Sequence, residues 1–342
     1  SYLEHANLFL VPLDNERRWY RYHHLFADLL RQRLQQKEGQ DIRNLHIRAS
    51  QWFEDNGLIV EAFHHAAVVN DIARVERLMD SGNFPLHLRG VVSSLVDWLA
   101  SLPKSVMDAR PSLWWRSGAM RLVIGITTGV QEALDAAEAG VNAALRGAEP
   151  DAPTRYLIGR IAAARAVLAL THYRPDIMIA QSLRALEYLP TTNRSLRANA
   201  NWTLGVAYLY LKNRPAARQS LMEAIAISQV AGDIFITLLA TTGLGMVQEA
   251  DNQLPQAAET FRRILHMAGD QPLQIIYEAH LGMARLLYEW NDLDAAEPSA
   301  RQSIHLARQY DRVIDRFIVC EVFLARIKLA QGDVAGAAAI LA

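Results

Sequence analysis

Apolar residues recur at every third or fourth position through most of the chain after residue 40, and this spacing predicts α-helices. The first clear stripe consists of Ile42, Leu45, Ala49, Trp52 and Phe53. Asn56-Gly57 predicts the end of that helix, because glycine tolerates the left-handed conformation of a C-cap. Pro215 and Pro255 stand where later helices would start, a place that tolerates proline. Residues 41–342 are therefore predicted to be helical throughout, apart from their connections.

The first forty residues have a different pattern. Residues 7–13 and 18–22 are rich in β-formers, and Asp14-Asn15-Glu16 between them supplies turn residues. Pro12 restricts its strand to an edge or to a strand end. Apolar residues at helical spacing follow, at Phe26, Leu29, Leu30 and Leu34. We predict a β-hairpin and one helix in a separate N-terminal piece, residues 1–40.

Small residues recur about every forty positions, and this repeat is the strongest signal in the chain. The intervals are 43, 37, 40, 39 and 41 residues, between Ala137, Ala180, Ala217, Ala257, Ala296 and Ala337. A large and a small residue stand twelve positions before four of these anchors, as Ile124-Gly125, Leu204-Gly205, Leu244-Gly245 and Leu324-Ala325. Leu281-Gly282 stands fourteen positions before Ala296. Antiparallel helices approach closely only where small side chains meet, so each repeat is predicted to be a helix pair.

A helix pair with two apolar faces cannot bury both alone, so neighbouring pairs must stack. Leu204-Gly205, then Tyr208, Ala217 and Leu221, resembles a tetratricopeptide repeat (TPR). The period exceeds the usual length of about 34 residues, which predicts longer helices. The predicted fold class is all-α. It is a TPR-like α-solenoid, a right-handed superhelix of antiparallel helix pairs over residues 41–342, preceded by the short hairpin.

Composition excludes several classes of protein. The formal net charge of −1 gives no basic excess that would point to nucleic acid. The single cysteine, Cys320, cannot form an internal disulfide, which suits a reducing, cytoplasmic location, and its apolar neighbours predict a core position. No uninterrupted apolar stretch is long enough to span a membrane.

No arrangement of residues predicts catalysis. The phosphate-cradling run Gly-x-x-x-x-Gly-Lys-Ser/Thr is missing from the sequence, and so are the hydrolase elbow Gly-x-Ser-x-Gly and paired cysteines for zinc. Adjacent histidines such as His64-His65 diverge by about 100° on a helix, so they are expected to be structural. We predict that the chain is not an enzyme and holds neither a metal nor a cofactor.

The N-terminal motifs resemble those of one family. The residues that carry the likeness are 6–14, 19–30, Leu45-His46, Asn56-Gly57-Leu58-Ile59, Trp98-Leu99, Leu102-Pro103 and Arg110-Pro111. They resemble the MalT-like, LuxR-type large ATP-binding (STAND) transcriptional regulators. The specific motifs cover about the first 115 residues, and the likeness beyond them rests on the repeat.

The resemblance implies an order of domains: an ATPase, a winged-helix piece, a repeat superhelix and a DNA-binding helix-turn-helix. This chain would then be cut from a longer protein and would hold the end of the winged-helix piece and the superhelix. ATP is expected only in an upstream domain, and DNA only through a C-terminal helix-turn-helix. The implied partners are an inducer on the concave face and the other domains of the regulator.

In TPR arrays the first helix of each pair lines the concave groove, and the positions three before, one after and four after the glycine usually point into it. Carried onto this sequence, they give Trp202, Val206 and Leu209, then Thr242, Met246 and Glu249, and, counted from Leu168, Arg165 and His172. The candidate ligand-binding residues are Arg165, His172, Tyr173, Asn199, Trp202, Tyr210, Thr242 and Glu249. This mixture of aromatic and polar groups suits a sugar or another small polar ligand. Ordinary packing between repeats is the alternative for each of them.

Two functions follow from these observations. In the first, the chain is a sensor whose concave face binds an inducer, a small molecule or a protein, and thereby controls ATP-dependent oligomerisation and DNA binding by other domains. In the second, it is a general TPR scaffold for a protein or peptide, without a small-molecule ligand. Aromatic pockets would favour a metabolite and a groove of Lys, Arg and Asn would favour a peptide, and the sequence contains both kinds of residue.

Overall fold

A computed structural model describes residues 9–12, 20–35, 39–80, 89–269, 276–310 and 316–342. The chain forms two compact units, Ser1–Val91 and Val92–Ala342, and each is described by itself. Residues 40 and 41 both lie in the first unit, so this division does not test the predicted domain boundary between them. That boundary stays a prediction.

The first unit contains the predicted hairpin. Strand β1 (Leu10–Pro12) pairs antiparallel with β2 (Tyr20–Tyr22), with Val11 opposite Arg21. Pro12 is the last residue of its strand, where its missing N–H costs little. The predicted turn at 14–16 lies outside the described residues. Helix α1 (His24–Gln35) follows, and Phe26 on it stacks on Phe9 with ring centroids 4.7 Å apart.

Three further helices lie wholly within this unit: α2 (Gly39–Asp55), α3 (Ile59–Val68) and α4 (Ile72–Asp80). The predicted end of α2 is confirmed, since Gly57 has a φ of +74° in the connection that follows it. Ser50 on α2 is fully buried and donates a hydrogen bond to the carbonyl oxygen of Ala62 on α3. Arg74 and Arg77 on α4 both form ion pairs with Glu54 on α2.

The second unit consists of helices in its described part. Their bounds are α5 (Arg89–Ser101), which begins in the first unit, α6 (Lys104–Asp108), α7 (Pro111–Val123), α8 (Val130–Leu145), α9 (Ala152–Thr171), α10 (Pro175–Tyr188), α11 (Arg194–Tyr210), α12 (Arg214–Ala231), α13 (Ile234–Ala250), α14 (Leu254–Ala268), α15 (Ile276–Glu289), α16 (Leu293–Tyr310), α17 (Arg316–Ala330) and α18 (Val334–Leu341). Helices α7–α18 form six pairs. Proline in the first turn starts several of them, Pro215 and Pro255 among them, as predicted.

The stacking of the pairs is that of a solenoid. Each second helix packs against its own first helix and against the first helix of the next pair. Each first helix also contacts the first helix that follows it, from α7 through α9, α11, α13 and α15 to α17. The six first helices therefore form one continuous inner layer. The predicted all-α, TPR-like solenoid is confirmed.

Candidate ligand-binding groove

Two glycines mark the closest approach of the helices within a pair. A Cβ atom added at Gly205 would lie 2.6 Å from Leu221 Cγ, and one added at Gly245 would lie 2.7 Å from Phe261 Cε1. Leu221 and Phe261 are fully buried, so neither side chain has room to withdraw. Both glycines stand at the predicted twelve-residue position. They fix which face of each first helix meets its own partner and therefore which residues remain for the groove.

A second pair of glycines packs against the preceding repeat. A Cβ atom at Gly243 would lie 2.8 Å from Leu221 Cδ2, and one at Gly282 would lie 2.5 Å from Phe261 Cζ. Both stand fourteen residues before their anchors. Gly282 therefore contacts the preceding pair and does not make the close contact within its own pair. That position in α15 belongs to Ala284, which is fully buried.

The turn inside each pair contains one residue in the left-handed conformation. These residues are Gly125, Tyr173, Lys212, Asn252, Asn291 and Gly332, with φ between +52° and +83°. The residue five positions later is buried in every pair: Val130, Met178, Ala217, Ala257, Ala296 and Ala337. Subtraction gives intervals of 48, 39, 40, 39 and 41 residues. The turn and the buried residue after it define the register of the array.

This register corrects two of the predicted anchors. Ala180 is exposed, and Met178 takes its place with no exposed surface. Val130 takes the place of Ala137, because Ile124-Gly125 follows the end of α7 and forms the turn, so it is not a close contact between helices. Gly118 makes that contact instead, since a Cβ atom there would lie 3.2 Å from Leu134 Cδ2. Small residue type alone therefore located four of the six anchors.

Arg165 does not face the groove. With Met178 as anchor, the twelve-residue position of α9 is Ala166 and not Leu168. The Arg165 guanidinium lies 2.5 Å from Asp135 and 2.6 Å from Glu138, both on the second helix α8. The prediction that this arginine binds a ligand came from a wrong register, and its position is that of a tie between neighbouring helix pairs.

His172, Tyr173 and Tyr210 lie at the turn edge of the array. His172 caps α9, and its Nδ1 lies 3.0 Å from the carbonyl oxygen of Leu168. The rings of Tyr173 and Tyr210 meet with centroids 5.6 Å apart, and both are exposed. The structure therefore brings Tyr173 and Tyr210 together at this edge, with His172 next to Tyr173 in the chain.

Asn199 and Trp202 lie on the groove side of α11, three positions apart and therefore on one face. Both are partly exposed. Trp202 packs against two buried clusters, one containing Met178 and the other containing Ala240. Its ring thus supports the first helices on both sides and still leaves part of its surface open.

The two candidates on α13 differ in accessibility. Thr242 is 1% exposed, and its hydroxyl donates a 2.9 Å hydrogen bond to the carbonyl oxygen of Leu238, so a ligand has no access to it. Glu249 is partly exposed and accepts two hydrogen bonds from Arg285, 2.7 Å from Nε and 2.8 Å from the second nitrogen. Arg285 lies on α15, so this ion pair joins two consecutive first helices.

Sequence reasoning missed the groove residues of the last pairs. Counted from Ala284, α15 contributes Arg285 and Tyr288. Counted from Ala325, α17 contributes Val322, Arg326 and Leu329. The guanidinium carbon of Arg326 lies 4.8 Å from the centroid of Tyr288, a cation–π contact that joins α17 to α15. Ala284 stands twelve residues before Ala296, and this signal could have found the residues.

Trp115, on α7, is at the other end of the inner layer. Its indole N–H donates a 3.0 Å hydrogen bond to the carbonyl oxygen of Arg160. The Arg160 guanidinium covers the ring at 3.6 Å from its centroid, and the tryptophan is 6% exposed. Trp115 therefore packs between helices and presents no face on which a ligand could stack.

Other kinds of site were searched among the described residues. No three histidine, cysteine or acidic side chains lie close enough together there to hold a metal ion. In the same part of the chain no helix is both long and apolar enough to cross a membrane. Cys320 is fully buried and accepts a hydrogen bond from Ser303, and burial raises the pKa of its thiol. It is the core residue that the sequence predicts.

Comparisons with known proteins agree with this architecture. The MalT-like TPR region matches residues 159–342, and the MalT winged helix domain matches residues 1–42. The first match covers 184 of the 342 residues, more than half of the chain. The chain belongs to the MalT-like family. The resemblance of its N-terminal motifs to these regulators is thereby confirmed.

The MalT-like chain aligns with two kinds of curated relative. The serine/threonine-protein kinase PknK of Mycobacterium tuberculosis is 27% identical over 98% of this chain and 30% of its own length. The HTH-type transcriptional regulator MalT of Yersinia enterocolitica is 24% identical over 97% of this chain and 36% of its own length. The MalT-like chain therefore spans about a third of the length of these relatives.

Solved structures share the fold of the MalT-like chain. A STAND protein with a tetratricopeptide repeat sensor, PH0952 from Pyrococcus horikoshii, aligns over 99% of this chain and 56% of its own, with a TM-score of 0.63 and 12% identity. NprR in complex with its cognate peptide NprX aligns over 73% of this chain and 71% of its own, with a TM-score of 0.51 and 17% identity.

Proposed function

We propose that this MalT-like chain is the sensor part of a transcriptional regulator and that its inner layer of first helices binds an inducer. The proposal rests chiefly on one observation: groove residues of successive pairs touch, as Glu249 on α13 and Arg285 on α15 do. A ligand lying along this surface therefore contacts several pairs at once. Binding or release of the ligand can then alter how the pairs pack on one another.

The mechanism is a shift between two states of the larger protein. A ligand moves such an equilibrium only by binding one state more tightly than the other. In the family, an inactive closed form would give way to one that oligomerises and binds DNA. ATP would act in a part of the regulator outside this sequence, which lacks a phosphate-cradling Gly-x-x-x-x-Gly-Lys-Ser/Thr run.

The chain's own role is binding, without chemistry of its own. The groove residues Asn199, Trp202 and Met246 offer an amide, an aromatic face and a flexible thioether, which recognise ligands without reacting with them. A peptide-binding scaffold is the second candidate function. It is supported by the structural likeness to NprR, whose complex contains its cognate peptide.

Substituting an exposed groove residue in the full-length regulator tests the proposal. Met246 is 39% exposed on first helix α13, and Met222 is 55% exposed on second helix α12. Met246→Glu should abolish inducer-dependent transcription and ATP-dependent oligomerisation, and Met222→Glu should leave both intact. If Met246→Glu responds to inducer like the wild type, the groove is not the sensor surface.

A further inference from the structure

The corrected register shows that the groove changes character along its length. The groove positions of α7, α9 and α11 are occupied by apolar side chains: Trp115, Ala119, Leu122, Ala163, Val167, Leu170, Trp202, Val206 and Leu209. Trp115, Ala163 and Leu170 are buried, and the other six are partly exposed. Met246 on α13 continues this run with 39% of its surface exposed. Charged and polar side chains enter the groove positions from this point, with Glu249, Arg285 and Tyr288, although Val322 and Leu329 on either side of Arg326 are apolar and 52% and 54% exposed. The inner layer therefore has an apolar half and a half that also carries charge, which we call the charged half.

The charged half contains one arginine that a ligand can reach. Arg285 is held by both carboxylate oxygens of Glu249, so its charge is already compensated. Arg326 is exposed, and its guanidinium lies against the ring of Tyr288. Among the described residues no acidic side chain pairs with Arg326. Stacking on the ring orients the guanidinium plane and leaves its N–H donors open to a carboxylate.

The length of the groove decides the size of the ligand. Adjacent packed helices are about 8–10 Å apart, so the three steps from α11 to α17 span about 27 Å. A ligand that covers a single step reaches either Arg326 or the apolar side chains of α9 and α11 with Asn199, and not both. An extended peptide rises about 3.3 Å per residue, so about eight residues reach both.

Asn199 favours a peptide over an acyl chain with a polar head. Its side chain is partly exposed at the apolar end of the groove, and in the described part of the chain its amide has no hydrogen-bond partner. An amide side chain offers one carbonyl acceptor and two N–H donors, which match the N–H and C=O of a peptide group. A hydrocarbon chain would leave these groups unpaired.

We propose that the inducer is a short extended peptide whose apolar residues lie along α9, α11 and Met246 and whose carboxylate pairs with Arg326. This proposal rests on the sensor function proposed above and names the class of its ligand. Arg326 is then the residue that determines specificity for a carboxylate, and Asn199 holds the peptide backbone.

Fluorescence polarisation with two matched libraries tests the proposal on the 342-residue chain. The probes are fluorescein-labelled octapeptides with Leu, Val, Ala or Phe at the first five positions, then Gly-Ser-Leu, ending in a free carboxylate or an amide. The free-acid library should bind about tenfold more tightly, because a hydrogen-bonded charge is worth at least that factor. Equal binding of the two libraries would overturn the proposal.

Four glutamate variants separate specificity for the carboxylate from a general loss of peptide binding. Arg326→Glu should remove the preference for the free acid, and Arg263→Glu, on the exposed surface of second helix α14, should keep it. Met246→Glu should weaken both libraries, and Met222→Glu should weaken neither. An Arg326→Glu variant that still prefers the free acid would refute the assigned role.

The test also distinguishes the two proposals. If neither library binds but Met246→Glu still abolishes the response of the full-length regulator, the groove is a sensor for a different ligand and the peptide proposal falls. If the libraries bind as expected but Met246→Glu leaves that response intact, the groove binds peptides and the sensor function falls.

Discussion

The contact between Phe261 and Gly282 allows a quantitative test of how the pairs stack. A Cβ atom at Gly282 would lie 2.5 Å from two ring atoms of Phe261, against 3.4–4 Å for ordinary contact. The ring cannot withdraw, because Gly245 lies against it from its own pair. Overpacking of this kind costs about 1–3 kcal/mol, and alanine recovers about 1 kcal/mol of helix propensity. Gly282→Ala should therefore destabilise the chain by up to about 2 kcal/mol.

A double-mutant cycle assigns this cost to the ring. Phe261→Leu removes the ring atoms that the new methyl group would meet, so in that background Gly282→Ala should keep only the gain in helix propensity and stabilise by up to about 1 kcal/mol. The coupling is then the overpacking cost, about 1–3 kcal/mol. Urea unfolding followed by helical circular dichroism measures the changes. Because repeat arrays can unfold in parts, amide hydrogen exchange of α14 and α15 gives the local effect.

Gly90 supplies the control for this cycle. No atom lies within 4 Å of a Cβ added there, so Gly90→Ala should be neutral or slightly stabilising. If Gly282→Ala behaves like Gly90→Ala, or costs as much beside leucine as beside phenylalanine, the ring does not fill the space between the two pairs.

Three more predictions follow from charged and titrating groups. Hydrogen bonding, chiefly from Lys328, lowers the pKa of Glu297 to about 2. The ionised carboxylate therefore stabilises the fold fully above pH 4.5, and this stabilisation is lost as the pH falls towards 2. Glu297→Gln should make the melting temperature depend less on pH between 4.5 and 2. Burial and then His46 lower the pKa of His65, so the free energy of unfolding should fall as the pH drops below 6.5, the ordinary histidine pKa. His65→Gln should weaken this pH dependence in chemical denaturation. Arg165→Met should lower the free energy of unfolding by about 1–2 kcal/mol and leave peptide binding unchanged. If the variant loses peptide binding while its stability is unchanged, Arg165 is a groove residue after all.

The sequence predicted the fold because packing between helices restricts residue size. Gly205 and Gly245 each face a large buried side chain, and no larger residue fits there. That restriction repeats with each pair and is visible as a period. The hairpin was equally predictable, because β-formers on both sides of a turn leave few alternatives.

The groove was less predictable because its register depends on residues of variable size. Met178 is buried at the position where other pairs have alanine, and it packs among Ala169, Leu170 and Ala207. Small partners on the neighbouring helices thus make room for a large anchor. A search for small residues selects Ala180 instead, and this error assigned Arg165 to the wrong face. A wrong register also hid Arg285, because Ala284 and not Gly282 stands twelve residues before Ala296, whereas Arg326 directly follows the correctly predicted Ala325.

The turns within the pairs are uniform, and the connections between pairs are not. From α9 onward the turn inside each pair has three residues, at 172–174, 211–213, 251–253, 290–292 and 331–333. The connections to the next pair have between two and six residues where they are fully described, at 146–151, 189–193 and 232–233. Insertions are therefore best tolerated at one edge of the solenoid. A tag, a reporter or an evolved extra domain spliced there would leave the binding surface in its original geometry.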